Sequence, residues 1–451
     1  MMRASALALP FAALPFAAAA LLLPLPATAA ARRDPRVAAL VRKVEPARLQ
    51  ETVARLVSFG TRHTLSDVAS PTRGIGAARK WLAAQFAATG ARPFEDRFTA
   101  PASKRIAQPV ELVNVGAMVP DSDPSRAKEA IVVTGHYDSR ASDVLDGKSD
   151  APGAVDDGSG VSMALEIARL LAAEKPAVTL YLVAVAGEEQ GLIGSSHLAQ
   201  RLKAEGVQVI AMASVDIAGN SEGQDGVRDS GRARLFSEGV PAVESEAQKK
   251  LREAIGGEND SPAREWARYL KRVGERYVGE VELIAMMRRD RIARGSDHSS
   301  FSAAGFPALR LSEAREHYDR QHQNVRNEGG RQYGDDLAHF DPVYAARLCR
   351  ALLAAVASLS FAPAAPRDVV LGGAVSPDTR LRWTQPDDPR IADVVLYRRR
   401  ADGVAWQRDD SLGKVDRVVL ENLPPDNQVF AVANADAAGN ESLPAGPSAL
   451  E

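Results

Sequence analysis

A chain of 451 residues is longer than one small core requires, and 45% hydrophobic with 25% charged residues suits a folded protein of at least two units. That balance excludes disorder, collagen-like repeats and a multi-span membrane protein. A formal net charge of −2, without any Lys/Arg-rich block, leaves no electrostatic footprint for a nucleic-acid partner.

Residues 1–29 read as an export signal. Arg3 precedes an apolar run over 6–25, and Ala27-Thr28-Ala29 supplies the small-x-small pattern that signal peptidase accepts. The mature chain is therefore expected in a periplasm or outside the cell. A retained anchor is the alternative, although Pro10, Pro15, Pro24 and Pro26 interrupt the run. Apolar positions at helical spacing then predict helices over 36–59 and 75–90, stopped by Gly60 and Gly90, ahead of the first strand. Short β-rich runs follow at 110–115, 130–134 and 178–185, with a helix over 159–173 between the last two. Strands alternating with helices of this length predict an α/β fold, a mostly parallel mixed sheet flanked by helices. In such sheets ligands gather at the carboxyl ends of the strands.

Residues 221–280 are dense in charge and helix formers and read as a solvated helical surface. The single cysteine, Cys349, rules out an internal disulfide and is expected as a buried small hydrophobe in a helix. A Pro/Ala-rich link at 362–366 separates a catalytic domain over 32–362 from a tail over 366–451. Short alternating runs at 368–371, 379–383, 392–397, 417–420 and 428–432 describe a small β-sandwich. The tail resembles a fibronectin type III domain, which implies Trp383 between the sheets and Tyr397 on the next strand. Phe430 departs from the corner tyrosine common in such domains. The tail is expected to serve contact with a surface or polymer, and a chain ending near Ala362 is expected to keep metal and activity.

The chemistry-bearing residues follow predicted strand ends. The run 131–134 leads into Gly135-His136-Tyr137-Asp138-Ser139, where an imidazole can face a cleft as a metal ligand. Asp156-Asp157-Gly158-Ser159-Gly160 opens a helix with two carboxylates. One can cap the helix, while the other can bridge two cations about 3.5 to 4 Å apart. Gly187-Glu188-Glu189-Gln190-Gly191 sets two glutamates side by side, a repulsion that a cation or proton must relieve. One glutamate can ligate metal while its neighbour accepts a proton from water. A further strand over 210–215 ends in Asp216, and a late stretch holds both His317 and His322. Nitrogen and oxygen donors without thiolate suit zinc with open positions, and cobalt or manganese would also fit.

Together these motifs, with Val215-Asp216-Ile217 and Ser296-Asp297-His298, resemble the M28 family of metallopeptidases, the dizinc aminopeptidases, over roughly 36–360. The resemblance implies that His136 and Asp216 hold one zinc, Glu189 and His322 the other, and Asp156 bridges both. It makes Glu188 the general base, lets Asp138 orient His136, and has Ser296, Asp297 and His298 line the substrate pocket. It implies a cis peptide between Asp156 and Asp157. His322 is preferred to His317 because Tyr318, four residues earlier, matches the spacing of a family tyrosine. Peptides cut at the amino end are the expected substrates, with the oligomeric state left open. A carboxypeptidase or dipeptidase of the same family, a glutaminyl-cyclase-like acyltransferase, and an inactive binding homologue are the rival readings; retention of Glu188 argues against the last.

Overall fold

The structure is a computed structural model that describes residues 32–451, so the export signal expected over 1–29 lies outside the described residues. Three helices open it: α1 (Pro35–Arg42), α2 (Pro46–Val57) and α3 (Gly74–Ala88). The single helix predicted over 36–59 is therefore two. Pro46 lacks an amide donor and drives Glu45 into an extended conformation at φ −108° and ψ 126°, which ends one helix and starts the next. Gly60 and Gly90 adopt φ of 71° and 87° just past α2 and α3, the left-handed turn that stops a helix.

The chain then builds β1 (Arg92–Ala100), β2 (Val110–Val119), β3 (Glu129–His136), α4 (Gly158–Leu171), β4 (Thr179–Val185), α5 (Ile193–Ala204) and β5 (Gln208–Val215). It continues through β6 (Arg232–Ser237), α6 (Glu246–Ala254), α7 (Pro262–Tyr277), β7 (Glu282–Ala285), α8 (His298–Ala304) and β8 (Ala308–Glu313). These strands form one sheet in the order β1-β2-β4-β3-β5-β8-β6-β7. Its centre, β4-β3-β5-β8, is parallel, while β1 and β2 run antiparallel on one side and β6 antiparallel to β8 on the other. The parallel strands are buried along almost their whole length, so they read as continuous apolar runs. Strands β1, β6 and β7 lie outside the predicted set; charged residues interrupt the apolar positions of β1 and β6, and β7 is only four residues long.

Residues 221–280 correct the surface reading. Only α6 lacks buried residues; β6 joins the main sheet, and α7 buries Trp266, Leu270 and Val273. Trp266 Nε1 donates to the Met212 carbonyl of β5 at 3.0 Å, which pins α7 beneath the central strands. After the small hairpin β9 (Arg326–Glu328) and β10 (Arg331–Tyr333) comes α9 (Pro342–Phe361), capped by Asp341 and almost wholly buried. Cys349 sits within it, buried, and that burial raises its thiol above the ordinary range.

The tail comprises β11 (Arg367–Gly372), β12 (Thr379–Thr384), β13 (Asp393–Arg400), β14 (Gln407–Ser411), β15 (Arg417–Leu420), β16 (Gln428–Ala435) and β17 (Ala449–Leu450). Two sheets, β15-β12-β11-β17 and β14-β13-β16, share a core in which Trp383 and Leu381 meet Leu396, Phe430 and Val432. Tyr397 points to the opposite face of β13, where the tail docks on α7. The Tyr397 hydroxyl donates to Glu441 Oε2 at 2.6 Å, Arg408 Nε reaches Glu441 Oε1 at 2.9 Å, and Arg272 of α7 pairs with the same carboxylate. Tyr269 of α7 donates to the Glu441 carbonyl at 2.9 Å, and Trp406 Nε1 to Glu265 Oε2 at 2.6 Å. A chain ending near Ala362 keeps every residue of both donor groups but uncovers the face of α7 that these partners bury, so it is expected to be less stable than the full chain.

Burial alone would raise the Glu441 carboxyl, but Arg272, Arg276, Tyr397 and Arg408 outweigh it and hold it down at about 2. A depressed carboxyl stabilises the fold above its unfolded pKa and loses that contribution as pH falls toward its folded one. Glu441→Gln is expected to lower unfolding free energy by roughly 3 to 5 kcal/mol at neutral pH. In denaturant titrations the gap from the unsubstituted chain should narrow between about pH 4.5 and 2; a gap independent of pH would show that the pairing contributes nothing.

Candidate metal centre

The carboxyl ends of β3, β4 and β5 bring their following residues to one cleft of about 340 Å³. His136 is the last residue of β3, Glu188 and Glu189 follow β4, and Asp216 follows β5. Asp156 arrives from the turn before α4, and His322 from the loop after β8. The start of α4 presses against the sheet because Gly135 and Gly160 lack side chains. A Cβ at Gly160 would overlap the Val215 carbonyl and the Asp157 carboxylate. Asp157 caps α4 by accepting from Gly160 N at 2.9 Å and also accepts from His136 N at 3.0 Å. One of the adjacent aspartates is thereby committed to the backbone, and the Asp156–Asp157 peptide is cis.

The other aspartate lies between two imidazoles. Asp156 Oδ1 is 3.1 Å from His136 Nε2, and its Oδ2 is 3.1 Å from His322 Nε2. Glu189 Oε1 lies 3.0 Å from His322 Nε2, while Asp216 Oδ1 stands 4.0 Å from His136 Nε2. Two groups of donors result, each with its ligand atoms within 4.8 Å of one another: His136, Glu188 and Asp216, and Asp156, Glu189 and His322. The adjacent glutamates thus serve different groups. His317, the competing late histidine, belongs to neither.

Charge makes these positions suited to a cation. Burial lowers the His322 imidazole, but Glu189 and Asp156 push it up to about 10; carboxylates so close demand positive charge. Glu189 Oε1 is buried and has no well-aligned hydrogen-bond donor among the described residues, despite its proximity to His322. An oxygen left this way, in a set of imidazoles and carboxylates without thiolate, fits a divalent metal such as zinc. Burial, reinforced by Glu189, Asp216 and Asp297, also raises Glu188 well above the ordinary carboxylate range. That direction suits a group that accepts and returns protons near neutrality.

Supporting residues fix this geometry. The Asp138 carbonyl lies 3.1 Å from His136 Nδ1, whereas its carboxylate accepts from Glu188 N, Glu189 N and Thr64 Oγ1 at 3.2, 3.1 and 3.0 Å. Asp138 therefore sets His136 mainly through its carbonyl and uses its side chain to hold both glutamates. Four non-glycine residues lining the cleft have left-handed backbone: Leu192, Ile217, Ala293 and His322, with φ of 62°, 56°, 55° and 52°. Such conformations concentrate where surroundings impose a functional geometry.

Other expected pocket residues lie elsewhere. Ser296, Asp297 and His298 are buried behind the cleft and do not line it; Ser296 hydrogen-bonds Asp216 and meets Ser214 Oγ at 2.9 Å, Asp297 acts on Glu188 by its charge, and His298 Nε2 lies 3.0 Å from the Arg289 carbonyl, so the first two support the donor groups from behind. The turn into α8 directs their side chains into the protein, so the preceding Arg294 and Gly295 form the wall. Tyr318 is 59% exposed and outside the cleft, because its loop faces solvent and is tethered by its amide to Gln224.

Residues absent from the sequence reading stand behind the ligands. Arg310 Nη2 lies 3.1 Å from Asp216 Oδ1, from a fully buried position within the apolar run of β8. Arg62 donates to the Tyr137 and Gly153 carbonyls at 2.8 and 2.9 Å, tying the His136 loop to the Asp156 turn. Asp335 accepts from Val155 N and Asp156 N at 2.8 and 2.7 Å. No short motif announces these partners, which are distant in sequence. Asp335→Ala is expected to weaken metal binding by roughly 10- to 100-fold, as loss of an outer support commonly does. Metal titration by calorimetry checks it; unchanged affinity would mean that the turn holds Asp156 unaided.

Comparison with known proteins places this geometry in a family. The model of peptidase family M28 matches residues 114–333, a span from β2 to β10 that contains every residue of both donor groups. A protein of Leptosphaeria maculans named "Probable zinc metalloprotease Lema_P086240" is 42% identical over 407 residues, covering 88% of this chain and 94% of its own. A "Probable zinc metalloprotease" of Pyrenophora teres f. teres is 41% identical over 91% of this chain and 86% of its own. Among solved structures, the LapA aminopeptidase of Legionella pneumophila aligns with TM-score 0.50 and 18% identity over 76% of this chain and 78% of its own. LapB from the same organism aligns with TM-score 0.50 and 21% identity, over 74% and 78% respectively, and both share the fold. The chain belongs to peptidase family M28.

Proposed function

We propose that this protein is an exported zinc-dependent exopeptidase that removes residues from the amino ends of peptides with two metal ions. The observation that carries the reading is the Asp156 carboxylate, with one oxygen 3.1 Å from His136 and the other 3.1 Å from His322. His136 and Asp216 would hold one zinc and Glu189 and His322 the other, with Asp156 serving both. Relatives named as zinc metalloproteases support the choice of metal, the fold shared with an aminopeptidase supports the reaction, and residues 1–29 support export.

Zinc bound there supplies Lewis acidity, polarising the scissile carbonyl and making water a better nucleophile at neutral pH. Glu188 takes a proton from water as the oxygen adds to the carbonyl carbon. As the C–N bond breaks, the same carboxyl returns that proton to the leaving amine nitrogen. Asp138 keeps the Glu188 and Glu189 backbone fixed through both transfers. The cleft's carboxylates attract the substrate's α-ammonium group, which favours cutting at the amino end.

Glu188→Gln is expected to lower turnover of amino-acid amides by roughly 10² to 10⁴ while two metals per chain remain. Glu189→Gln should reduce the metal count, because an amide is a poorer ligand than a carboxylate. Metal analysis beside amide kinetics reads both. Loss of metal in the first variant alone would make Glu188 the ligand, a role its position near His136 and Asp216 permits. Unchanged activity in both would end the two-metal reading.

A further inference from the structure

The cleft is lined by carboxylates and by four guanidinium groups, those of Arg105, Arg140, Arg291 and Arg294, together with the aliphatic side chains of Leu192 and Ile217. Three arginines have evident internal tasks: Arg310 pairs with Asp216 from below, Arg140 Nη1 approaches Glu189 Oε2 at 3.8 Å, and Arg105 Nη1 donates to the Glu189 carbonyl at 2.8 Å. Arg291 and Arg294 form no ion pair with any carboxylate of the two donor groups.

Their own support is a buried carboxylate. Glu316, its side chain 2% exposed, accepts from Arg291 Nη1 at 2.8 Å and Arg294 Nη1 at 3.0 Å on one oxygen, and from Arg234 Nη2 at 2.6 Å on the other. Asp290 receives Arg291 Nε at 3.0 Å and Arg310 Nη1 at 3.4 Å. Four guanidiniums thus surround Glu316 and Asp290; Arg310 and Arg291 also act on Asp216, which leaves Arg294, its side chain 31% exposed, as the member open to the cleft. Arg294 also donates to Gln321 Oε1 at 3.2 Å, the residue before His322, so its head group is held at the metal centre's edge. A planar, pre-positioned guanidinium is a good receptor for a carboxylate. A pocket for large apolar side chains would need an apolar wall instead.

We propose that the cleft selects substrates presenting a carboxylate beside the scissile bond, received by Arg294 with Arg291 behind it. This rests on the exopeptidase reading and names its substrate class. The carboxylate can come from an aspartate or glutamate side chain or from the free α-carboxylate of a dipeptide.

Two substrate pairs separate these sources: glutamic acid α-amide against glutamine α-amide, and Ala-Ala against Ala-Ala-amide. With the zinc-loaded full chain, the charged member of one pair should show kcat/KM about 10- to 100-fold above its neutral partner, the range for one charge-assisted recognition contact. The first pair would assign the grip to the side chain, the second to the terminal carboxylate. Arg294→Gln should bring the favoured ratio to within about threefold of one, as expected when one charge-assisted contact is lost. Ratios at or below one in both pairs, with turnover measurable, would overturn the proposal and leave the exopeptidase reading standing. If no member is hydrolysed, calorimetry of glutamate against glutamine and of alanine against alaninamide decides selection by itself, and the exopeptidase reading is judged by the Glu188→Gln and Glu189→Gln variants. Tighter binding of a charged member would support the carboxylate receptor, and equal or weaker binding of both would overturn it.

Discussion

Like charge packed at one point is the constraint on which this molecule is organised. Asp156, Glu188, Glu189 and Asp216 face a single cleft, and carboxylates brought so close are tolerated only where positive charge compensates them. The protein supplies some of it from behind, through Arg310 at Asp216 and Arg140 near Glu189. The two imidazoles on either side of Asp156 mark where more is needed, a need that bound zinc would meet.

The scaffold makes the crowding reproducible. Three neighbouring parallel strands, β4, β3 and β5, end at the same level, so the residues just beyond them converge without long loops. Asp157 caps α4 and receives the His136 amide, Asp138 receives both glutamate amides, and Asp335 receives the amides leading into Asp156. Each of these aspartates converts a flexible connection into a fixed one. Below the sheet, α7 links the central strands to the tail, and Glu441 gathers Arg272, Arg408 and Tyr397 into one buried cluster at that junction.

What the sequence disclosed follows from the range of the interactions involved. The parallel strands and α4 were legible because burial on both faces writes itself as unbroken apolar runs. The ligand candidates were legible because strand ends and Gly-rich turns announce themselves locally, and the structure brings His136, Asp156, Glu188, Glu189, Asp216 and His322 together. Strands β1 and β6 were not, since arginines and acids break their pattern, and β7 offers only four residues. Arg310 was hidden within an apolar run, and Arg62 and Asp335 act on segments 75 to 180 positions away. Ser296-Asp297-His298 had the composition of a pocket wall, yet its turn points inward, an orientation that composition does not encode.

Under the proposed function, two metal ions share Asp156. Anomalous diffraction at the zinc edge, from crystals of the zinc-loaded chain, tests it without reference to substrate. Two peaks are expected in the cleft, about 3.5 to 4 Å apart as in two-metal hydrolases, one beside His136 and one beside His322 with the Asp156 carboxylate between them. A single peak, or two peaks with Asp156 turned away from either, would contradict it.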